Sequence, residues 1–274
     1  MKTSTEIGSF AKLVGEEKAV YMTAKAGFDA FDFSMFRMDT ATHPLAGREY
    51  LAFAKRIKQI GLDNGIPCNQ SHAPYPVYRD EIRALLPRAI ECTAEAGGKI
   101  CVIHPNNYQS AEENAKMYLE LLPMAKEYGV VLATENMWSW DKETDTALPA
   151  ACSSPESFVR HIDVINDPYF VACLDVGHAE MEGVHTSAPE MIRALGPRLG
   201  ALHIHDNDLH YDSHAVPFSM KIDFSAVVSA LKEIGYAGDL TLEAYHHCDK
   251  YTADTVYTGI KELADSAKKL KSMF

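Results

Sequence analysis

Eight short apolar runs alternate with longer amphipathic segments along the whole chain. The runs cover residues 5–10, 28–35, 66–70, 99–104, 130–136, 170–176, 200–205 and 239–244. Several are apolar without interruption, as at Ile100, Cys101, Val102 and Ile103, which is typical of parallel strands covered on both faces. The pattern therefore predicts eight buried strands.

Helical periodicity separates these runs. It predicts helices at about 16–26, 47–64, 111–128, 155–165, 188–195 and 252–270. A further helix is expected to begin at the N-cap Asp223 and to stop at Gly235, and another apolar stripe, from Ile82 to Ile90, contains Pro87, which should kink or shorten it. Eight strand–helix units fit a barrel better than an open sheet, and no glycine-rich phosphate turn follows the first run. We therefore predict an α/β fold, a single (β/α)8 TIM-barrel domain spanning residues 1–274.

The amino-acid composition restricts the kinds of molecule that the chain is expected to bind and the compartment in which it is expected to occur. Lys and Arg total 26 against 38 Asp and Glu, giving a net charge of −12, which makes nucleic acid an unlikely partner. Six scattered cysteines without a C-x-x-C pair indicate reduced, buried thiols. The first residues lack the apolar segment of a signal peptide, and no stretch is long enough to span a membrane. We expect a cytoplasmic monomer or homodimer.

Candidate ligands for a metal stand where six successive predicted strands end. These residues are His72, His104, Glu135, Asp175, His205 and Glu243, with His178, Asp212 and His214 in the loops that follow. Any one of them could be a hydrogen-bonded core or loop residue, but barrel enzymes place their chemistry at this edge, so the joint pattern favours a metal site. Imidazoles and carboxylates without a thiolate suit Zn²⁺ or Mn²⁺, and Mg²⁺ less readily.

These motifs resemble the xylose isomerase-like TIM-barrel superfamily over essentially the whole chain. The resemblance rests on Ser71-His72-Ala73-Pro74-Tyr75, Val102-Ile103-His104-Pro105, Glu135-Asn136, Leu174-Asp175-Val176-Gly177-His178, His203-Ile204-His205-Asp206-Asn207-Asp208 and Leu242-Glu243. In the ketose epimerase branch it implies one divalent ion held by Glu135, Asp175, His205 and Glu243, with Glu135 and Glu243 as the catalytic acid and base. His178 would contact a substrate hydroxyl. That branch commonly has an Arg six residues after the metal-binding His, where this chain has Tyr211.

The endonuclease IV branch of the same superfamily implies three zinc ions. Its pattern maps the first onto His72, His104 and Glu135, the second onto Glu135, Asp175, His205 and Glu243, and the third onto His178, Asp212 and His214. An abasic-site endonuclease needs cations to grip phosphates, and residues 206–219 contain no Lys or Arg.

We therefore expect a metal-dependent sugar or sugar phosphate isomerase or epimerase with one to three ions and a small sugar-like substrate. The endonuclease is the main alternative. A keto-inositol dehydratase-like lyase and a non-catalytic sugar-binding barrel are further alternatives.

Overall fold

The computed structural model describes residues 1–274 and contains ten strands. They are β1 (Thr3–Thr5), β2 (Phe31–Ser34), β3 (Cys68–His72), β4 (Ile100–Val102), β5 (Val131–Glu135), β6 (Trp138–Asp141), β7 (Thr146–Pro149), β8 (Phe170–Asp175), β9 (Leu199–His203) and β10 (Leu240–Leu242). Six of them form a parallel sheet in the order β2-β3-β4-β5-β8-β9, and β1 pairs in parallel with β10. Single bridges from Glu6 to Asp32 and from Ile204 to Leu242 join the two sheets. The predicted (β/α)8 TIM barrel is confirmed.

Eleven helices surround or flank the strands. They are α1 (Gly8–Val14), α2 (Glu16–Ala26), α3 (Tyr50–Asp63), α4 (Asp80–Arg83), α5 (Leu86–Ala96), α6 (Ala111–Tyr128), α7 (Pro155–Asp163), α8 (Val176–Ala179), α9 (Ala188–Leu195), α10 (Phe224–Glu233) and α11 (Val256–Ser272). Asp223 caps α10 as predicted, because its Oδ1 accepts the main-chain N–H of Ser225 at 2.9 Å. None of the helices combines the length and the apolar character needed to cross a membrane.

The first strand differs from its prediction. It occupies Thr3–Thr5, whereas the second half of the predicted run at 5–10 forms the start of α1. The reason is Glu6, whose buried carboxylate accepts the N–H groups of Gly8 and Ser9 at 2.7 and 3.0 Å and so turns the chain into a helix. The apolar residues after Glu6 therefore pack from a helix and not from a strand.

Two other segments differ from the sequence pattern: one predicted helix is interrupted, and one segment without a clear pattern contains regular strands. The stripe containing Pro87 is divided into α4 and α5, and Pro87 lies in the first turn of α5, where its missing N–H leaves no bond unmade. Within residues 137–154, which have no clear pattern, β6 and β7 form an antiparallel hairpin with Trp138 opposite Pro149. That hairpin follows β5 directly, so it rises beside the barrel mouth.

The apolar core has two separate parts because strand residues alternate between the two faces of the barrel wall. A cluster of 64 buried residues includes Leu132 and Leu174 and fills the space between strands and helices. A cluster of only four, Val102, Ala133, Cys173 and Ala201, lies inside the barrel. Residues two positions further along these same strands, such as Glu135 and Asp175, lie on the same inner face of the barrel. They are at its mouth, where the strands end.

Candidate metal centre and active site

The strand ends enclose a cavity of about 320 Å³ at the mouth of the barrel. It is lined by Phe36, His72, Tyr75, His104, Glu135, Met137, Trp138, His178, Asp212, His214, Glu243, Tyr245 and His246. Seven of the nine residues predicted from the sequence line this cavity. Asp175 and His205 lie behind its wall, fully buried and in contact with lining residues. No Lys or Arg belongs to the lining.

Glu135 and two histidines form the first group of close metal-ligand atoms. His72 Nε2 and His104 Nε2 lie 2.7 Å apart, and they are 3.5 and 3.3 Å from Glu135 Oε2. Glu135 is fully buried, and neither of its carboxylate oxygens has a hydrogen-bond partner. Two nitrogens and one oxygen therefore converge on a shared point, as the ligands of one cation do.

The second group is Glu135, Asp175, His203 and Glu243, whose ligand atoms all lie within 4.8 Å of one another. His203 Nδ1 lies between the two glutamates, 3.1 Å from Glu135 Oε1 and 3.5 Å from Glu243 Oε2. The structure therefore places His203, and not His205, within this distance of all three predicted carboxylates.

The third group is His178, His205, Asp212 and His214. His178 Nδ1 and His214 Nδ1 lie 2.9 and 2.6 Å from the main-chain oxygens of Asn136 and Glu243. Their Nε2 atoms face Asp212 Oδ2 at 3.3 and 3.2 Å. A carbonyl that accepts from Nδ1 orients the ring and leaves Nε2 to bind metal, which is how ligand histidines are usually held.

His205 belongs to the third group and also contacts the second. Its Nε2 is 3.0 Å from Asp175 Oδ1 and 3.4 Å from Asp212 Oδ1. Asp175 thus connects His205 to the two predicted glutamates, although His205 does not join them in a single group of close ligand atoms.

Buried polar atoms without partners are concentrated at this site. They are Asp32 Oδ1, both carboxylate oxygens of Glu135, Asp175 Oδ2, both ring nitrogens of His203, His205 Nε2 and Asp212 Oδ1. Each buried carboxylate oxygen without a hydrogen bond lowers the stability of the folded state by about 1–3 kcal/mol, and by more when it is charged. A bound cation would relieve this cost. The residues present therefore fit a divalent metal ion.

The two glutamates have opposite pKa displacements. Burial by itself would raise the pKa of Glu135, but His203 and His104 outweigh it and hold that pKa well below its ordinary value. Burial raises the pKa of Glu243 to about 8, with His203 opposing and the negative charge of Glu135 adding to the rise. In the metal-free protein, Glu135 therefore favours the ionised form and Glu243 favours the protonated form.

Three residues that support the site are not among the nine candidate ligands predicted from the sequence. Asn136 accepts the N–H of Asp175 at 2.8 Å and donates to its carbonyl at 2.9 Å, which fixes the main chain of that residue. Asp32 lies 3.6 Å from His203 Nε2, deep in the barrel. The signal for His203 was its spacing of two from His205 on one strand, but nothing in the sequence pairs Asp32 with it.

Gly177 allows His205 to occupy its position. A Cβ at residue 177 would lie 1.9 Å from His205 Cε1 and 2.4 Å from Nε2. We expect Gly177→Ala to displace the ring and to weaken zinc binding by about 10- to 100-fold, the usual cost of disturbing a ligand's support. Competition with a chromophoric chelator measures this. Gly47→Ala, whose Cβ meets nothing nearer than 3.4 Å, is the control, and unchanged zinc affinity in folded Gly177→Ala would contradict the assignment.

Comparison with known proteins finds some that resemble this chain in sequence and others that resemble it in fold. Over 164 residues the chain is 28% identical to the uncharacterized protein MJ1311 of Methanocaldococcus jannaschii, a match that covers 57% of this chain and 54% of that one. The chain thus spans about half the length of this curated relative.

Two solved structures cover almost all of the chain at low identity. A D-allulose 3-epimerase from Methylomonas sp. superimposes with a TM-score of 0.74 at 16% identity, covering 100% of this chain and 98% of that one. The IOLI protein, whose structure holds a zinc atom, gives 0.74 at 19% identity, covering 98% and 99%. A model of the xylose isomerase-like TIM barrel family matches residues 20–273. The chain belongs to that family.

Proposed function

We propose that this protein is a divalent-metal-dependent sugar isomerase or epimerase that moves a proton at a carbon next to a carbonyl. The observation that carries the proposal is the pair Glu135 and Glu243, buried on either side of His203 with opposite pKa displacements. Proton transfer needs one group that is ready to accept a proton and another that is ready to donate one. A sugar-binding protein without catalysis would have no use for such a pair.

The proposed metal ligands are Glu135, Asp175, His205 and Glu243, with His203 close enough to replace or support His205. When bound, a divalent ion polarises the carbonyl and the neighbouring hydroxyl of the substrate and so acidifies the C–H bond between them. His72, His104, His178, Asp212 and His214 would hold additional ions or bind substrate hydroxyls.

The protein's own groups carry out the proton movements. Glu135, ionised, accepts the proton from the carbon next to the carbonyl, and the carboxyl of Glu243 or a water that it orients returns one. His72 Nδ1 lies 3.0 Å from Glu243 Oε1 and holds that carboxyl in place. Burial and the neighbouring His104 hold the pKa of His72 well below its ordinary value, which keeps its ring neutral and able to bind a metal ion.

Solvent deuterium uptake tests the proposal. Zinc- or manganese-loaded protein in D₂O is expected to exchange one hydrogen of D-fructose, D-tagatose or a related ketose, which mass spectrometry detects as a gain of one mass unit. If the protein instead dehydrates a keto-inositol, the same proton abstraction belongs to the reaction of a lyase. Absence of exchange with every ketose and keto-inositol would refute the proposal.

A zinc-dependent abasic-site endonuclease is the second candidate, favoured by one observation. The three groups of ligand atoms, of which the first two share Glu135, offer places for three ions. The absence of Lys and Arg from the cavity lining and from residues 206–219 counts against a phosphodiester substrate. Cleavage of an oligonucleotide duplex with one abasic site, together with three zinc ions per chain, would reverse the order of the two candidates.

The raised pKa of Glu243 gives the metal-free protein a characteristic pH dependence. Because this pKa is about 8 in the folded chain and lower in the unfolded chain, its contribution to stability is present at low pH and lost as pH rises through 8. Urea unfolding in chelator should therefore show a smaller loss of stability between pH 6 and pH 9 for Glu243→Gln than for the wild type. Equal losses in both proteins would show that Glu243 is ionised throughout.

A further inference from the structure

Three tyrosines on the loops after β3 and β4 leave much of their surface exposed. Tyr75 lines the cavity and is 47% exposed, while Tyr78 and Tyr108 are 59% and 79% exposed. The ring centroids of Tyr78 and Tyr108 lie 6.4 Å apart, so the two rings form one aromatic surface. Neighbouring exposed aromatic rings are a recurrent mark of a binding surface.

The two loops that carry this tyrosine pair also contact the residues that line the cavity. Tyr78 lies three residues after Tyr75, whose ring packs 4.8 Å from His104 and 5.1 Å from Phe36. On the next loop, Asn107 precedes Tyr108 and donates from Nδ2 to the main-chain oxygen of Trp138 at 3.1 Å. Tyr75 and Trp138 both line the cavity, so the pair rests on the loops that form its rim.

The charges around the entrance favour a neutral ligand. No Lys or Arg lines the cavity, and Arg79, beside Tyr78, pairs with Glu81 at 2.7 Å. A phosphorylated sugar would therefore meet the carboxylates of Glu135, Asp212 and Glu243 without a free cation. The C–H face of a neutral sugar ring, in contrast, packs well on an aromatic ring.

The size of the cavity indicates how much of the ligand it holds. Its volume of about 320 Å³ is at the lower end of the range for small-molecule pockets, about 300–1,000 Å³. A volume of this size suits one sugar unit, so a second unit linked to the first would lie outside the cavity. The loops after β3 and β4, which carry the tyrosine pair, are at the same end of the barrel as the cavity.

We propose that the substrate is an uncharged disaccharide or glycoside, whose reacting ketose unit enters the cavity and whose second ring stacks on Tyr78 and Tyr108. This inference rests on the proposed function for its chemistry. It assigns specificity to two side chains that do not touch the reacting atoms.

The test compares ketose-terminated disaccharides with a free ketose. The metal-loaded protein is expected to exchange deuterium into isomaltulose or lactulose with a higher kcat/KM than into D-fructose. Replacing both rings in Tyr78→Ala/Tyr108→Ala should lower kcat/KM for the disaccharide by at least about fivefold, mainly through KM, because both stacking surfaces are removed. The kcat/KM for D-fructose should stay unchanged, since a single sugar unit does not reach the two rings. Tyr21→Ala, an exposed tyrosine on α2, is the matched control.

Equal kcat/KM values for the disaccharides and D-fructose, or an unchanged ratio in the double variant, would overturn the inference. If no ketose exchanges at all, the proposed function fails, and calorimetric titration of the disaccharides still decides: binding to the wild type that is lost in the double variant supports the inference, and no binding overturns it. A change from dimer to monomer in the double variant, seen by ultracentrifugation, would assign the surface to a second copy of the chain and also overturn it.

Discussion

Glu243→Gln is expected to lower the rate of deuterium exchange into the substrate by about 10³-fold, within the range of roughly 10²–10⁴ that a general acid or base contributes. The amide has nearly the same shape as the carboxyl, but it neither accepts nor releases a proton at neutral pH. Its oxygen can still coordinate, and Glu135 and Asp175 stay in place. Metal content measured by plasma mass spectrometry should therefore change little while exchange is lost.

Glu127→Gln provides the matched control, because it makes the same chemical change at an exposed position on α6. Its exchange rate should equal that of the wild type. Full activity in Glu243→Gln would remove Glu243 from the mechanism. Loss of both metal and activity would mean that Glu243 acts mainly as a ligand.

Removal of the metal is expected to abolish exchange and to lower the melting temperature. Without a cation, carboxylate oxygens of Glu135, Asp175 and Asp212 remain buried without a hydrogen-bond partner. An ion present at about 100 times its Kd stabilises the folded state by about 2.7 kcal/mol, which corresponds to several degrees in Tm. Thermal unfolding with and without chelator, followed by addition of Zn²⁺ or Mn²⁺, measures both effects.

The number of ions that restores activity distinguishes the candidate functions. Recovery with one equivalent is expected for the isomerase or epimerase, whereas a requirement for three zinc ions would favour the hydrolytic alternative. Activity that survives complete removal of metal would contradict a metal-dependent mechanism of either kind. Asp175→Asn, which removes one anionic ligand from the second group, should raise the metal concentration needed for half-maximal recovery.

The strand-end residues could be located from the sequence because an apolar run that ends in His, Asp or Glu is a local pattern. His104, Glu135 and Glu243 are each the first charged or imidazole group after such a run, and all three line the cavity. The first strand was harder to locate from the sequence, because the apolar residues after Glu6 can be buried equally well in a strand or in a helix. Only the hydrogen bonds from Gly8 and Ser9 to Glu6 decide between them.

The sequence by itself determined the alternation of strands and helices and the chemical types at the strand ends, since both follow from periodicity and from the cost of burying charge. The tertiary structure decided which of those groups meet. It brought His203 between Glu135 and Glu243, placed His205 between Asp175 and Asp212, and set the two tyrosine rings of adjacent loops side by side. These distances depend on barrel closure and loop packing among residues up to 171 positions apart, as for His72 and Glu243, and no local pattern encodes them.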